Sequence, residues 1–225
     1  MIGLIQEIST LPTEQDACLV LRAFIAVRRR YQPRYTSLDG GVTITPDQLE
    51  IAIREFVKQN SEGGKRAQAV VAGIIDAFAR PQRVESGRIN DPSRRHPGDV
   101  CVRRYGPSRV WEKAFEVRDK PVSDSDVQIF GKKCIDMGVR EVALVMVAEG
   151  QPFLDETRLT DWANEFGIGL TLFYGWSQII DQALFWSELP KPIAVRKAAR
   201  FIHERLIGVE ASPDSVEMWN KLVSR

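Results

Sequence analysis

Histidine and cysteine are scarce in this chain: two histidines, His96 and His203, and three cysteines, Cys18, Cys101 and Cys134, in 225 residues. The histidines are not spaced as metal partners, which excludes zinc hydrolases and other sites built from several imidazoles. The cysteines are odd in number and far apart, so they offer neither a disulfide framework nor a CxxC knuckle. All three are expected to be small core residues. No apolar run approaches the roughly 18 residues a membrane span requires. The first sixteen residues meet acidic and polar side chains at once, unlike a secretory signal. These absences predict a cytoplasmic protein with no membrane partner. Net charge is small as well, +1 over the chain, so attraction to a polyanion must come from local clusters. Arg28, Arg29 and Arg30 form one. Arg94, Arg95, Arg103 and Arg104, with Arg109, form a second.

What is present divides by period. Residues 16–30 carry a wide apolar face and end in arginines that complement the negative end of a helix dipole. Thr45 with Pro46 opens a second helix as N-cap and first position, and Leu49, Ile53 and Phe56 follow at helical spacing. A third helix runs from Lys65 to about Phe78, until Pro81 stops it. The period then falls to two. Residues 83–89 read as extended, and Asn90-Asp91-Pro92 as a turn. Residues 99–103 alternate as a strand, Gly106-Pro107 turns the chain, and residues 111–120 alternate again. This hairpin sets Phe115 and Val117 on one face and Glu116, Arg118 and Lys120 on the other, because strand side chains repeat every two residues.

From Val122 onward, helix and strand alternate. Ser123 or Asp124 caps a helix that Gly138 ends, and residues 141–148 form a nearly continuous apolar strand of the kind covered on both faces. A helix over 155–166, a strand over 168–174 and a helix over 178–186 follow. Two closing helices occupy 194–207 and 215–223. Strands alternating with helices imply parallel crossovers, hence a three-layer α/β/α sandwich with a mixed central sheet and helical N- and C-terminal additions. We divide it into a helical region at 1–60 packed on the core, the core at 61–190 and C-terminal helices at 191–225, all expected in one globular unit. The aromatics Trp162, Phe166, Phe173, Tyr174, Trp176, Phe185 and Trp186 are expected in core and helix–sheet packing.

The hairpin also carries chemistry. Asp99 stands at the mouth of one strand after Pro97-Gly98, and Glu116 lies in the middle of the next. Two acids on adjacent strands, with a cation on the same face, are what metal-assisted phosphodiester hydrolysis uses. Magnesium accepts a few carboxylate oxygens and keeps several waters, and manganese substitutes for it. Arg118 or Lys120 would supply the cation. Arg94, Arg95, Arg103 and Arg104 would meet a phosphate backbone, although a charge run is more often a solvated face. Asp91 competes for the role of first acid, but its turn setting argues against it. Gln128, Lys132 and Lys133, on the helix that follows, are candidates for contact with a DNA backbone, although a pair such as Lys132-Lys133 is more often simply solvated.

Pro97-Gly98-Asp99 followed by Glu116-Val117-Arg118 on a hairpin, then helix and strand, resembles the PD-(D/E)xK nuclease superfamily. The longer strings INDPSRRHPGDV (89–100), FEVRDKPV (115–122) and GGKRAQAVVAGIIDA (63–77) resemble the SacI family of type II restriction endonucleases, over roughly residues 60–180. The resemblance implies a restriction-endonuclease-like fold and metal-dependent cleavage of double-stranded DNA in host defence. It assigns Asp99 and Glu116 to the metal and a lysine to the position two residues after the second acid. Here that position holds Arg118, which cannot act as a base because its pKa stays above about 12. Either Lys120 supplies the ammonium or Arg118 takes the role. Gln68 and Arg66, on the third helix, are candidate supporting residues, since superfamily members often bring a polar helix residue alongside the acids. Cutting both strands at a palindrome is simplest for a homodimer. Two other functions compete: a DNA- or partner-binding subunit whose site has decayed, and an unrelated α/β protein.

Overall fold

The computed structural model describes residues 6–7, 9–11, 13–38, 40–87, 96–106 and 110–224. The chain divides into two compact units, Met1–Tyr35 and Thr36–Arg225. Within the first, helix α1 (Glu14–Arg30) starts at Thr13, whose hydroxyl accepts from the Asp16 N–H. Cys18, expected in the core, is exposed instead, on a helix with no buried side chain. The elements of the second unit, in order, are α2 (Pro46–Gln59), α3 (Lys65–Ala79), β1 (Val84–Ser86), β2 (Val100–Arg103), β3 (Trp111–Arg118), α4 (Asp124–Asp136), β4 (Glu141–Met146), α5 (Glu156–Glu165), β5 (Gly169–Tyr174), α6 (Trp176–Phe185), α7 (Lys191–Gly208) and α8 (Pro213–Val223).

The five strands form one sheet in the order β1-β2-β3-β4-β5. The first three pair antiparallel, and β3-β4-β5 pair parallel through crossovers that carry α4 and α5. This is the mixed sheet that alternating helix and strand implied, flanked by helices on both faces. Helices start where capping chemistry allows. Thr45 and Ser123 each make a reciprocal capping box, with Gln48 and Asp126 respectively, which satisfies backbone N–H groups that the first turn leaves open.

Alternation decides which side chain meets which layer. Cys101, Ala114, Val142, Leu144 and Met146 face α4 and α5 and pack with Val127, Phe130, Cys134 and Leu159. Val100, Val102 and Phe115 point to the other face, where α3 lies. Helix α3 is apolar almost all round and buried along nearly its whole length, as a central helix should be. Its Gly73 has no side chain because a Cβ there would stand 2.4 Å from the Ile202 backbone nitrogen of α7. Trp219 and Phe56, both fully buried, meet at 5.4 Å between ring centroids and close the far side. Each large apolar side chain buried this way contributes about 1.5–3 kcal/mol. Among the expected core aromatics, Phe173 and Trp176 are buried. Phe166, Phe185 and Trp186 are exposed, being at or near the ends of their helices.

Candidate active site

The ladder between β2 and β3 pairs Val100 with Phe115 and Cys101 with Ala114. One step toward the start of β2 sets Asp99 opposite Glu116. Directly opposed residues of an antiparallel pair share a face, so both acids lie on the α4 side. Gly98 makes this approach possible: a Cβ at that position would fall 2.6 Å from the Phe115 carbonyl oxygen. The Val117 N–H donates to Asp99 Oδ2 at 2.9 Å, so strand β3 itself orients the carboxylate of the facing residue. Arg118 shares the face of Glu116 and donates from Nη2 to Glu116 Oε1 at 2.6 Å.

Both acids are held above the ordinary carboxylate range. For Asp99 the main cause is burial, opposed by the Val117 hydrogen bond and by the charges of Arg118 and Lys133. Glu116 is pushed up to about 7, first by burial and then by the charge of Asp99, with Arg118 and Lys133 opposing. Two carboxyls desolvated together disfavour double ionisation, and a cation between them relieves that cost. The thiols beside them are inert: burial pushes Cys101 and Cys134 up to about 12.

Two of the expected supporting residues part ways. Gln68, buried in α3 beneath the sheet, donates from Nε2 to the Gly87 carbonyl at 2.6 Å and to the Asp99 carbonyl at 2.9 Å. It reaches the site through the backbone of Asp99, not through the carboxylate. Arg66 is buried elsewhere. Its guanidinium donates to Ser215 Oγ and the Phe56 carbonyl and lies 4.5 Å from the Phe56 ring centroid. It ties α3 to α2 and α8 and is not brought to the acids.

Lys120 is not carried onto the acids' face by strand alternation either. The strand ends at Arg118, and residues 119–120 bend ahead of Pro121; the residue before a proline is restricted, and proline donates no ladder hydrogen bond. Lys120 lines an open cleft of about 1100 Å³ at the C-terminal ends of β3, β4 and β5, together with Arg54, Lys58, Tyr174 and Trp176. Arg103 pairs with Glu85 and lies 5.1 Å from the Trp111 ring centroid, while Arg104 is exposed at the hairpin turn. Arg94, Arg95, Arg109 and the competing Asp91 lie outside the described residues. Lys133, read from sequence as a backbone contact or half of a solvated pair, stands near enough on α4 for its charge to oppose the upward shift of both acids, as that of Arg118 does. Nothing in its own sequence neighbourhood signals this, because it depends on where α4 lies across the sheet.

Residues 42–151 match the family model of the SacI restriction endonuclease C-terminal domain. The chain resembles the SacI family. That segment spans α2 to β4 and contains Asp99, Glu116, Arg118, Lys120 and Lys133. A relative with this family's name, the type II restriction enzyme SacI of Streptomyces achromogenes, is 32% identical over 143 residues. The aligned part is 64% of this chain and 37% of that enzyme, so the chain spans well under half the length of its SacI relative. Among the described residues no group of three His, Cys, Asp or Glu side chains gathers into a metal cage, and no helix is long and apolar enough to cross a membrane. A two-carboxylate set still fits magnesium, which completes its octahedron with waters and substrate phosphate.

Proposed function

We propose that this protein is a magnesium-dependent endonuclease that hydrolyses phosphodiester bonds of double-stranded DNA, a cytoplasmic enzyme of the restriction and defence kind. The observation that carries the reading is the opposed pair Asp99 and Glu116, half-buried together on one face with Arg118 beside them, within a segment that matches a restriction endonuclease domain. A divalent ion held by the two carboxylates would supply positive charge at the scissile phosphate and a water of lowered pKa. Manganese would serve in its place.

The chain's own groups have distinct tasks. The Val117 N–H fixes the rotamer of Asp99, and Gln68 fixes its backbone. The Arg118 guanidinium favours the ionised form of Glu116 against burial and the charge of Asp99 and has further N–H groups for a phosphate oxygen. In the reaction, a water oxygen forms a new bond to phosphorus while the bond from phosphorus to one sugar oxygen breaks. The proton lost by water ends on the departing oxygen, so one water is consumed and an alcohol and a phosphate monoester result. Arg103 and Arg104, with Arg94 and Arg95, are proposed to meet the DNA backbone. Two chains related by a two-fold axis would present one site to each strand.

The test is cleavage of plasmid DNA in Mg2+ by the wild type, Asp99→Ala and Glu116→Ala. The expected result is cutting by the wild type and a loss of about 100-fold or more in each variant. A second reading, DNA retention without cutting, is favoured by the contact of Arg118 with Glu116, which occupies an oxygen an ion would need. It predicts that all three proteins retain DNA and none cuts.

A further inference from the structure

We propose that Lys133, on α4, is a catalytic residue of this site, its ammonium meeting the scissile phosphate from the side opposite Arg118. The proposal rests on the nuclease reading above and adds a residue to it. Its geometry comes from α4. Gly131 marks one flank of that helix, where a Cβ would touch the Trp162 ring of α5 at 2.5 Å. That flank lies toward β5, against which α5 packs. Residues of a helix advance 100° each, so Lys133 stands 200° from Gly131, on the flank toward β3 and β2. Cys134, between the two flanks, points to the sheet, and its thiol lies 3.9 Å from the Pro97 carbonyl, two residues before Asp99. The helix is therefore seated over the hairpin that holds both acids, with Lys133 on the side that overhangs them.

Electrostatics agree with this placement. After burial, which dominates for each group, the charge of Lys133 is felt by Asp99, Glu116, Cys101 and Cys134, on β3, at β2 and on α4. The two cations of the site differ in availability. Arg118 is engaged with Glu116, whereas no hydrogen bond or ion pair among the described residues takes up the Lys133 ammonium. A compact, strongly hydrated ammonium with three donors suits a phosphate whose negative charge grows during bond breaking. Lys132, one residue away, points 100° back toward solvent.

The experiment compares wild type, Lys133→Ala, Lys133→Arg, Lys132→Ala and Asp99→Ala in single-turnover cleavage of plasmid DNA in Mg2+. A calorimetric titration of each with Mn2+ runs without DNA. Lys133→Ala is expected to cut about 100-fold or more slowly, Lys133→Arg to recover part of the rate, and Lys132→Ala to stay within about threefold of wild type. Because a positive charge facing the ion is removed, Mn2+ should bind Lys133→Ala about threefold or more tightly at low salt. Lys133 is exposed, so the thermal midpoint should not move. If Lys133→Ala cuts within threefold of wild type, or binds Mn2+ with unchanged affinity, while Asp99→Ala is inert, Lys133 has no such role and the nuclease reading survives. A wild type that leaves the DNA intact overturns both.

Discussion

Burial and the charge of Asp99 raise Glu116 to about 7 from an ordinary value of 4.5, and this has a price in stability. Between those values the folded chain holds a proton that the unfolded chain has released. Stability therefore falls as pH rises through the window, and the full penalty is present above pH 7. Glu116→Gln should raise stability at pH 8 by on the order of 2 kcal/mol, and the gain should fade as pH falls toward 4.5. Urea denaturation in the presence of a chelator reads both. A gain independent of pH would show that Glu116 is not held protonated by the fold. The acids were legible in sequence because Gly98-Asp99 and Glu116 stand on a hairpin whose alternation can be counted. Lys133 was not, since its place near the acids depends on the seating of α4. Arg66 and Gln68 look alike on the sequence of α3, and only the neighbours supplied by α2 and α8 to the one and by Gly87 and Asp99 to the other separate a staple from a support.

At the scale of elements, the central strands and helices followed from period, caps and breakers, whereas the end of β3 did not. Alternation continues on paper through Lys120, but ladder hydrogen bonds stop where the chain bends toward Pro121. Helix α3 is held to α7 by another contact that sequence does not announce. Arg205 donates to both oxygens of Asp76 at 2.6 Å and to the Val84 carbonyl at 2.9 Å. Burial raises the pKa of Asp76 in spite of Arg205, so the carboxylate depends on its partner. Arg205→Met should cost about 3–5 kcal/mol at neutral pH by leaving a buried charge alone. The loss should shrink as pH falls and Asp76 takes up a proton. Adding Asp76→Asn should restore part of it, as chemical denaturation would record. Equal loss in the single and double variants would mean that packing, and not charge, joins the two helices.

For the whole molecule, the fold class was readable from the order of elements, while the separation of residues 1–35 from the rest was not, because composition does not change there. The proposed two-fold pair of chains is tested by sedimentation equilibrium. The expected mass is near twice 25.4 kDa with a DNA duplex cut on both strands; a single-chain mass under those conditions would remove the pair. Gln68 links these scales. Its amide crosses from the helical layer on one face of the sheet to the backbone of an acid whose carboxylate lies on the other. If the chain cuts DNA as proposed, selection for cutting is expected to reach into α3, and a repacking of that interior that kept every apolar contact but lost this one amide would leave a sturdy protein with a misaligned blade.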